Sequence, residues 1–339
     1  MRGNRRDMLR FAGAAAFGLL PILLRQPARA AVPLRIAIVA KVAGASYFDV
    51  CRDGGRDAAD DLGDVELVYT GPRKPAVAEQ IQVIEALVTQ HVDALAIAAN
   101  NAEALVATTK KAMKRGIKVL SFDSAIAPDG RIAHVSVPHD DLVGANDVRM
   151  IAKTLNHEGN VAILSAAQQA GAQNLWIRKM KEEWAKPEYD RMKLAGVAYG
   201  EDVPEKSYRA AQGLFKSFPN LRGIIAPTAV GIVAAAKAVA DAGLAGKVFV
   251  TGHGLPSQMK TAMEAGITET FQLWNPADLG YAAVMLAGLI ARGEATGAAG
   301  STTRIGRMGD MTIEPDGSAY LKDLLVFDKS NIQKFAELF

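Results

Sequence analysis

Residues 34–44 read Leu-Arg-Ile-Ala-Ile-Val-Ala-Lys-Val-Ala-Gly, an apolar run that stops abruptly at Lys41. Short runs rich in Val, Ile and Ala are typical of buried strands in a parallel sheet. Similar runs recur along the chain with amphipathic segments between them, at 65–69, 94–98, 118–121, 132–137, 161–164, 194–197, 223–226, 248–251 and 270–273. This alternation predicts right-handed βαβ units and therefore an α/β fold with parallel sheets.

The predicted strands are too many for one open sheet of ordinary size, so we expect two doubly wound sheets of about five strands each. The chain would pass from one sheet to the other near Val137-Pro138-His139. The helical segments between strands include 77–89, 102–115, 141–155, 207–218 and 230–242. Beyond a flexible linker at 293–301, the sequence predicts a strand at 304–313, a turn at 314–317 and a second strand at 319–327. A short helix at 330–339 would follow.

The first thirty residues have the layout of a secretory signal. A basic segment containing Arg5 and Arg6 precedes an apolar run at 11–24, and Ala28-Arg29-Ala30 forms a small-x-small cleavage site. The run is shorter than the roughly 20 apolar residues that span a bilayer. The arginine pair predicts the twin-arginine route, with a general secretory signal or an apolar cytosolic N-terminus as alternatives. We therefore expect a periplasmic protein, cleaved near Ala30.

The charge of the chain is concentrated in this segment. The 339 residues include 39 basic and 36 acidic side chains, a formal net charge of +3. Without residues 1–30, which hold six arginines and one aspartate, 33 basic and 35 acidic residues remain, a net charge of −2. Nothing in this balance predicts a nucleic-acid partner, which needs clustered Lys and Arg. Cys51 is the one cysteine, so no internal disulfide can form, and we expect a small buried side chain there.

The motifs of nucleotide binding and nucleophilic catalysis are missing. No G-x-G-x-x-G follows the first strand, and the chain contains neither G-x-x-x-x-G-K-[ST] nor G-x-S-x-G. The five histidines are scattered without the spacing of metal ligands. We therefore expect no cofactor, no metal and no catalytic residues. His253 follows a predicted strand, and we interpret it as a polar loop residue near a ligand rather than as an enzymatic histidine.

Ligands of open α/β sheets bind beyond the carboxyl ends of the strands. The residues near those ends are mostly polar or aromatic, and they include Lys41, Tyr47, Phe48, Asn100, Asp123, Gln173, Pro227, Thr228, Ala229, Trp274 and Asn275. One cation, one carboxylate, amides, a hydroxyl and aromatic faces suit a neutral, polyhydroxylated ligand. The alternative is that Lys41 and Asp123 form a solvated or structural ion pair.

From about Pro33 to the C-terminus, the chain resembles the periplasmic binding proteins of the ribose-binding type. The stretches that carry the resemblance are 37–41, 69–72, 94–100, 116–124, 173–176, 224–228 and 274–281. The last of these and Gly306-Arg307-Met308-Gly309 look most like the rhamnose-binding proteins of ABC importers, a branch that also holds the autoinducer-2-binding proteins.

The resemblance implies a type I periplasmic binding protein fold with two Rossmann-like lobes. The N-terminal lobe would comprise 32–138 plus 275–303, and the C-terminal lobe 139–274 plus 304–339. Three hinge strands would join the lobes, which close on the ligand.

The resemblance also implies roles for individual residues. Lys41 and Asp123 would bond ligand hydroxyls, and Phe48 would pack on the ligand with Tyr47 beside it. The remaining implied contacts come from the second lobe and the hinge, namely Gln173, Pro227, Ala229 with Thr228 between them, Trp274 and Asn275.

Departures from the family pattern favour one ligand over others. Autoinducer-2 binders carry acids where Ala172 and Asn275 stand, and ribose and galactose binders carry one near His253. We therefore expect rhamnose or a similar deoxyhexose, delivered by a monomer to the permease and ATPase of an ABC importer. Alternatives are autoinducer-2, another sugar or polyol, presentation to a chemoreceptor or sensor kinase, a lactose-repressor-type effector domain, and a periplasmic enzyme on the same fold.

Overall fold

The computed structural model describes residues 33–339, and the predicted export segment lies outside this range. The strands are β1 (Leu34–Val39), β2 (Val65–Thr70), β3 (Ala94–Ile97), β4 (Lys118–Phe122), β5 (Ala133–Ser136), β6 (Gly159–Ser165), β7 (Met192–Tyr199), β8 (Leu221–Ala226), β9 (Phe249–Gly252), β10 (Phe271–Leu273), β11 (Thr302–Arg304), β12 (Asp310–Thr312), β13 (Ser318–Tyr320) and β14 (Leu325–Phe327). The helices are α1 (Ser46–Leu62), α2 (Val77–Thr89), α3 (Val106–Lys114), α4 (Asp140–Thr154), α5 (Gly171–Trp184), α6 (Pro204–Ser217), α7 (Ala229–Asp241), α8 (Pro256–Glu264), α9 (Pro276–Arg292) and α10 (Ile332–Phe335).

The first sheet has the strand order β13-β5-β4-β3-β1-β2, and all its neighbours are parallel. Strands β1, β3, β4 and β5 are largely buried because helices cover both faces of the sheet, whereas the edge strand β2 is half-buried. In β1, Ile36 and Ile38 belong to one apolar cluster with α1 and α9, whereas Ala37 and Val39 belong to another with α2 and α3. Successive side chains of a strand point to opposite faces of the sheet. Because both faces are covered here, every position from Ile36 to Val39 is apolar rather than every second one.

The second sheet has the order β7-β6-β8-β9, again parallel. Helices α4 and α5 pack together along the sheet, and so do α6 and α7. The short strand β10 pairs antiparallel with β14. All ten strands predicted before the linker are present; β1–β5 lie in the first parallel sheet and β6–β9 in the second, whereas β10 lies outside both.

The C-terminal segment differs from the prediction. The predicted turn at 314–317 is present, since the Gly317 N–H donates to the Glu314 carbonyl at 2.9 Å. Both predicted strands beside it are divided. In place of 304–313 the chain forms a hairpin of β11 and β12, where Gly306 and Gly309 take positive φ values of 40° and 77°, and in place of 319–327 it forms β13 and β14. Strand β13 joins the first sheet beside β5, although residues 304–339 were assigned to the second lobe. The closing helix spans only Ile332–Phe335.

Helices α1 and α9 pack with their backbones almost in contact. A Cβ built on Gly280 would lie 1.8 Å from the carbonyl oxygen of Cys51, and one on Gly54 would lie 1.8 Å from that of Ala277. Cys51 is fully buried at this contact, as expected of a small side chain. The close approach matters because α1 carries Tyr47 near its start.

Within residues 33–339, we find no helix that combines the length and the apolar character needed to cross a membrane.

Candidate functional site

A cleft of about 830 Å³ opens at the carboxyl ends of strands from both sheets. Most of the predicted site residues line it, namely Lys41, Tyr47, Phe48, Asp123, Gln173, Pro227, Thr228, Ala229 and Trp274. The structure therefore brings together residues that are more than 200 positions apart in the chain. This convergence follows from the parallel sheets, whose strands all end at the cleft edge.

Asp123 is the carboxylate on the first-sheet side of the cleft. Its Oδ2 lies 3.7 Å from Lys41 Nζ, and the two side chains are only 11% and 13% exposed. The Tyr47 hydroxyl donates to Asp123 Oδ1 at 2.8 Å, and the Ser124 hydroxyl donates to Oδ2 at 3.0 Å. The carboxylate is thus fixed in place by neighbours, with lone pairs left for further donors.

The loop that carries Lys41 is held by buried amides. Gln80 of α2 is fully buried, and its Nε2 donates to the carbonyls of Ala40 at 3.2 Å and Ala98 at 2.8 Å. Its Oε1 accepts from the backbone N–H of Asn100 at 2.9 Å. The Asn100 side chain in turn donates to the Lys41 carbonyl at 2.9 Å. Lys41 therefore stands on a fixed backbone beside Asp123.

Tyr47 links the carboxylate to the aromatic part of the site. Trp274 Nε1 donates to the Tyr47 hydroxyl at 2.6 Å, and the Tyr47 and Phe48 rings meet edge to face with centroids 5.1 Å apart. Desolvation first, and then the charge of Asp123, raise the pKa of Tyr47 well above its usual value. The phenol therefore keeps its proton and serves as a donor to Asp123.

The second-sheet side of the cleft is an aromatic cluster. The centroid of Trp176 lies 4.8 Å from that of His253 and 5.6 Å from that of Trp274. Trp176 Nε1 donates to Asp140 Oδ1 at 2.7 Å, and burial raises the pKa of Asp140. Gln173 precedes Trp176 by one helical turn of α5 and lines the same cleft. Its Oε1 is buried without a partner among the described residues.

Sequence reasoning had missed Trp176 as a site residue. Trp176 stands in the stretch 173–176 that carried the family resemblance, and its position one turn after Gln173 is the signal that would have found it. His253, placed by the sequence near a ligand, lines the cleft.

Thr228 and Asp202 meet at the start of α7. Thr228 is the N-cap residue, and its Oγ1 accepts from the backbone N–H of Gly231 at 3.5 Å. The same hydroxyl donates to Asp202 Oδ1. Both residues line the cleft, so the second-sheet side also presents a carboxylate that the sequence analysis had not selected.

Asn275 does not belong with the other predicted contacts. It is the N-cap of α9, where its Oδ1 accepts from the N–H of Ala277 at 3.0 Å and its Nδ2 donates to Asp278 at 2.8 Å. Neither Asn275 nor Ala172 is among the residues that line the cleft. The helix start explains the asparagine, because Asn is among the preferred N-cap residues.

Across residues 33–339, no group of three His, Cys, Asp or Glu side chains is placed to hold a metal ion.

Comparison with known proteins defines the class. The sequence model of the periplasmic binding protein domain matches residues 36–295, and the chain therefore belongs to the periplasmic binding protein family. A D-ribose/D-allose-binding protein of Pseudomonas aeruginosa is 29% identical over 68% of this chain and 74% of its own length. The D-allose-binding periplasmic protein of Escherichia coli is 27% identical over 74% of this chain and 82% of its own length.

A solved structure shows the same fold. An ABC transporter solute-binding protein from Clostridium phytofermentas, with bound L-rhamnose, superposes with a TM-score of 0.86 at 33% identity and covers 91% of this chain and 99% of that one. The predicted fold class, a type I periplasmic binding protein with parallel α/β sheets, is confirmed.

Proposed function

We propose that this protein binds a small sugar in the cleft and delivers it, without chemical turnover, to the membrane permease of an ABC importer. The observation that carries the proposal is the fixed Asp123 carboxylate beside Lys41, Tyr47 and an aromatic wall. A carboxylate accepts from ligand hydroxyls and an ammonium group donates to them, while aromatic faces cover the C–H surface of a sugar ring.

We propose rhamnose, or a similar deoxyhexose, as the sugar. Ala172 and Asn275 do not support this choice, because neither lines the cleft. Support comes instead from the apolar lining at Phe48, Trp176 and Val233, which suits the methyl group of a deoxyhexose, and from the rhamnose complex at 33% identity. D-allose is the second candidate, because relatives at 27% and 29% identity are named for it.

The two sheets would be the cores of two lobes that close on the ligand. The proposed lobes are 32–138 plus 275–303 and 139–274 plus 304–339, with β13 added to the first because it pairs with β5. At the rim of the cleft, Gln258 of α8 donates to the Ser46 hydroxyl of α1 at 3.2 Å. This bond joins helices of the two proposed lobes, as closure requires. We also propose that residues 1–30 direct export to the periplasm.

Isothermal titration of residues 31–339 with L-rhamnose, D-allose, D-ribose, D-galactose and autoinducer-2 tests the proposal. L-Rhamnose should bind at least about tenfold more tightly than D-ribose, D-galactose or autoinducer-2. If D-allose bound more tightly than L-rhamnose, the proposed sugar-binding function would stand, but D-allose would be the ligand. Saturation by none of the sugars would refute the function itself. Mass analysis of the sugar after prolonged incubation should show no conversion.

A further inference from the structure

His253 is part of a buried polar network behind the aromatic wall. The side chain is 2% exposed and Asp147 of α4 is fully buried. His253 Nε2 lies 3.0 Å from Asp147 Oδ2, and Gln272 of β10 donates to Asp147 Oδ1 at 2.7 Å. Each oxygen of the Asp147 carboxylate therefore has a different partner, His253 after β9 and Gln272 in β10.

Gln272 fixes which nitrogen of His253 carries the proton. Its Nε2 uses both hydrogens, one on Asp147 and one on the Val143 carbonyl at 2.9 Å. Its Oε1 accepts from Asn146 at 2.8 Å, which settles the orientation of the amide. The 3.3 Å approach of Gln272 Nε2 to His253 Nε2 is therefore a contact between two donors. Asp147 must accept the Nε2 proton, and in the neutral ring Nδ1 keeps a lone pair.

That Nδ1 atom is buried and has no hydrogen-bond partner anywhere in residues 33–339. His253 lines the cleft with Gln173, whose Oε1 is likewise buried and unpartnered. Both unsatisfied atoms act as acceptors, and Trp176 connects them, being one turn from Gln173 and in contact with His253.

We propose that His253 is a specificity-determining residue of the cleft, whose Nδ1 accepts a hydrogen bond from one hydroxyl group of the bound sugar. Asp147 and Gln272 are the positioning residues, since they hold the ring in the tautomer that leaves Nδ1 free to accept. The inference rests on the proposed sugar-binding function. Because Nδ1 is shielded from solvent in this structure, the ligand must open a path to it on entry.

This arrangement selects ligands by a donor at one place. A hydroxyl there satisfies Nδ1 in a dry environment between the Trp176 and Trp274 rings, which both contact His253. An ether oxygen, a carbonyl or a methyl at the same place offers no proton and leaves the acceptor unsatisfied. The class of ligand is therefore a sugar with a free hydroxyl at the ring position that faces His253.

The test compares two histidine variants by titration with L-rhamnose and its monodeoxy analogues. In His253→Gln, the amide nitrogen reaches toward Asp147 as Nε2 does, and the Nδ1 acceptor is lost. The control is His134→Asn, a change at a histidine that is 5% exposed, bonds Ser121 at 2.9 Å, and is not among the residues that line the cleft. His253→Gln should weaken L-rhamnose binding about five- to a hundredfold, whereas His134→Asn should leave the Kd unchanged.

The analogues identify the hydroxyl. One deoxygenation should weaken binding to the unmodified protein but cause no further loss in His253→Gln, because both changes remove the same hydrogen bond. If every deoxygenation costs the same in both proteins, His253 makes no ligand contact. Should the variant fail to fold, ¹⁵N NMR of the unmodified protein decides: the Nδ1 resonance of His253 should move upfield on sugar binding, and no movement would overturn the inference. Absence of sugar binding by the unmodified protein overturns the proposed function as well.

Discussion

At the residue scale, Asp123 combines two demands on one position. It has a φ of 59°, in the left-handed region where Asp and Asn are the most tolerated residues after glycine. Its carboxylate also has to accept from Tyr47 and Ser124 while facing the cleft. A glycine would relieve the backbone but remove the acceptor, and an asparagine would keep the backbone but lose the carboxylate, so aspartate meets both demands.

We therefore expect Asp123→Asn to fold normally and to bind the sugar poorly. Asn tolerates the same backbone but lacks the charge, and charge-assisted hydrogen bonds contribute about 1.5–3 kcal/mol each. The Kd for L-rhamnose should rise at least about tenfold, measured by titration beside a melting curve. Asp129→Asn is the control, because that side chain is 77% exposed and pairs only with surface Lys110. Unchanged affinity in Asp123→Asn would remove this carboxylate from the binding site.

His134 makes the fold sensitive to acid. Burial, with the nearby Arg131 charge adding to it, lowers the pKa of His134 from 6.5 to about 3. Between pH 3 and 6.5, His134 binds a proton in the unfolded chain but not in the folded protein. The free energy of unfolding therefore falls as the pH drops from about 6.5 towards 3. His134→Asn retains a partner for Ser121 and removes this titration. Its free energy of unfolding should decline less steeply over that range than that of the unmodified protein; parallel pH profiles would contradict the assignment.

At the element scale, the contact between α1 and α9 is the tightest in the fold. We expect Gly280→Ala to lower the free energy of unfolding by about 1–3 kcal/mol or more, because the added Cβ meets the Cys51 carbonyl oxygen at 1.8 Å. Gly213→Ala is the matched control on the exposed face of α6, where nothing lies within 4 Å of the new Cβ. That change should stabilise the protein by about 0.5–1 kcal/mol, measured by urea unfolding. Equal effects of the two substitutions would argue against close backbone packing.

The strands before the linker, in their order along the chain, were predictable because buried parallel strands are continuous apolar runs in the sequence. The segment 304–327 was not, since its strands are three residues long and two of them, β13 and β14, pair with distant parts of the chain. Ser318, for example, pairs with His134. The polar residues at strand ends were predictable from the geometry of parallel sheets, as Lys41 and Asp123 show. Asn275 also follows a strand, but its side chain caps α9 and does not line the cleft, because a polar side chain after a strand also suits a helix N-cap.

The network around His253 was beyond sequence reasoning for a different reason. Asp147 and Gln272 come from a helix and a strand far apart in the chain, and neither stands in a motif. Only the fold brings both side chains within hydrogen-bond distance of one imidazole nitrogen.

At the scale of the whole molecule, the ligand should act as a stabiliser. A sugar that binds only the folded state adds about 2.7 kcal/mol at a concentration of 100 times its Kd. The melting temperature of residues 31–339 should therefore rise by several degrees with L-rhamnose. For a Kd that is tenfold higher, the same sugar concentration adds only about 1.4 kcal/mol, so the melting temperature of Asp123→Asn should rise about half as much or less. An equal rise in both proteins would point to a site outside the cleft.

Export is the second property of the whole chain. Intact-mass analysis of periplasmic protein should give a chain that begins at Ala31. A double substitution of Arg5 and Arg6 by Lys should stop export if the twin-arginine route is used, because that route reads the arginine pair. Continued export of the double variant would assign the protein to the general secretory route and leave the cleavage site unchanged.

The late strand β13 governs when the molecule can finish folding. Ser318 pairs with His134 and Tyr320 with Ser136, so the first sheet lacks this edge strand until the ribosome has synthesised residues 318–320. During synthesis β5 is an open edge, the kind of surface on which nascent chains aggregate. The sheet is therefore completed only after both groups of parallel strands have been synthesised. A stop codon placed before residue 318 would release a chain whose first sheet lacks β13.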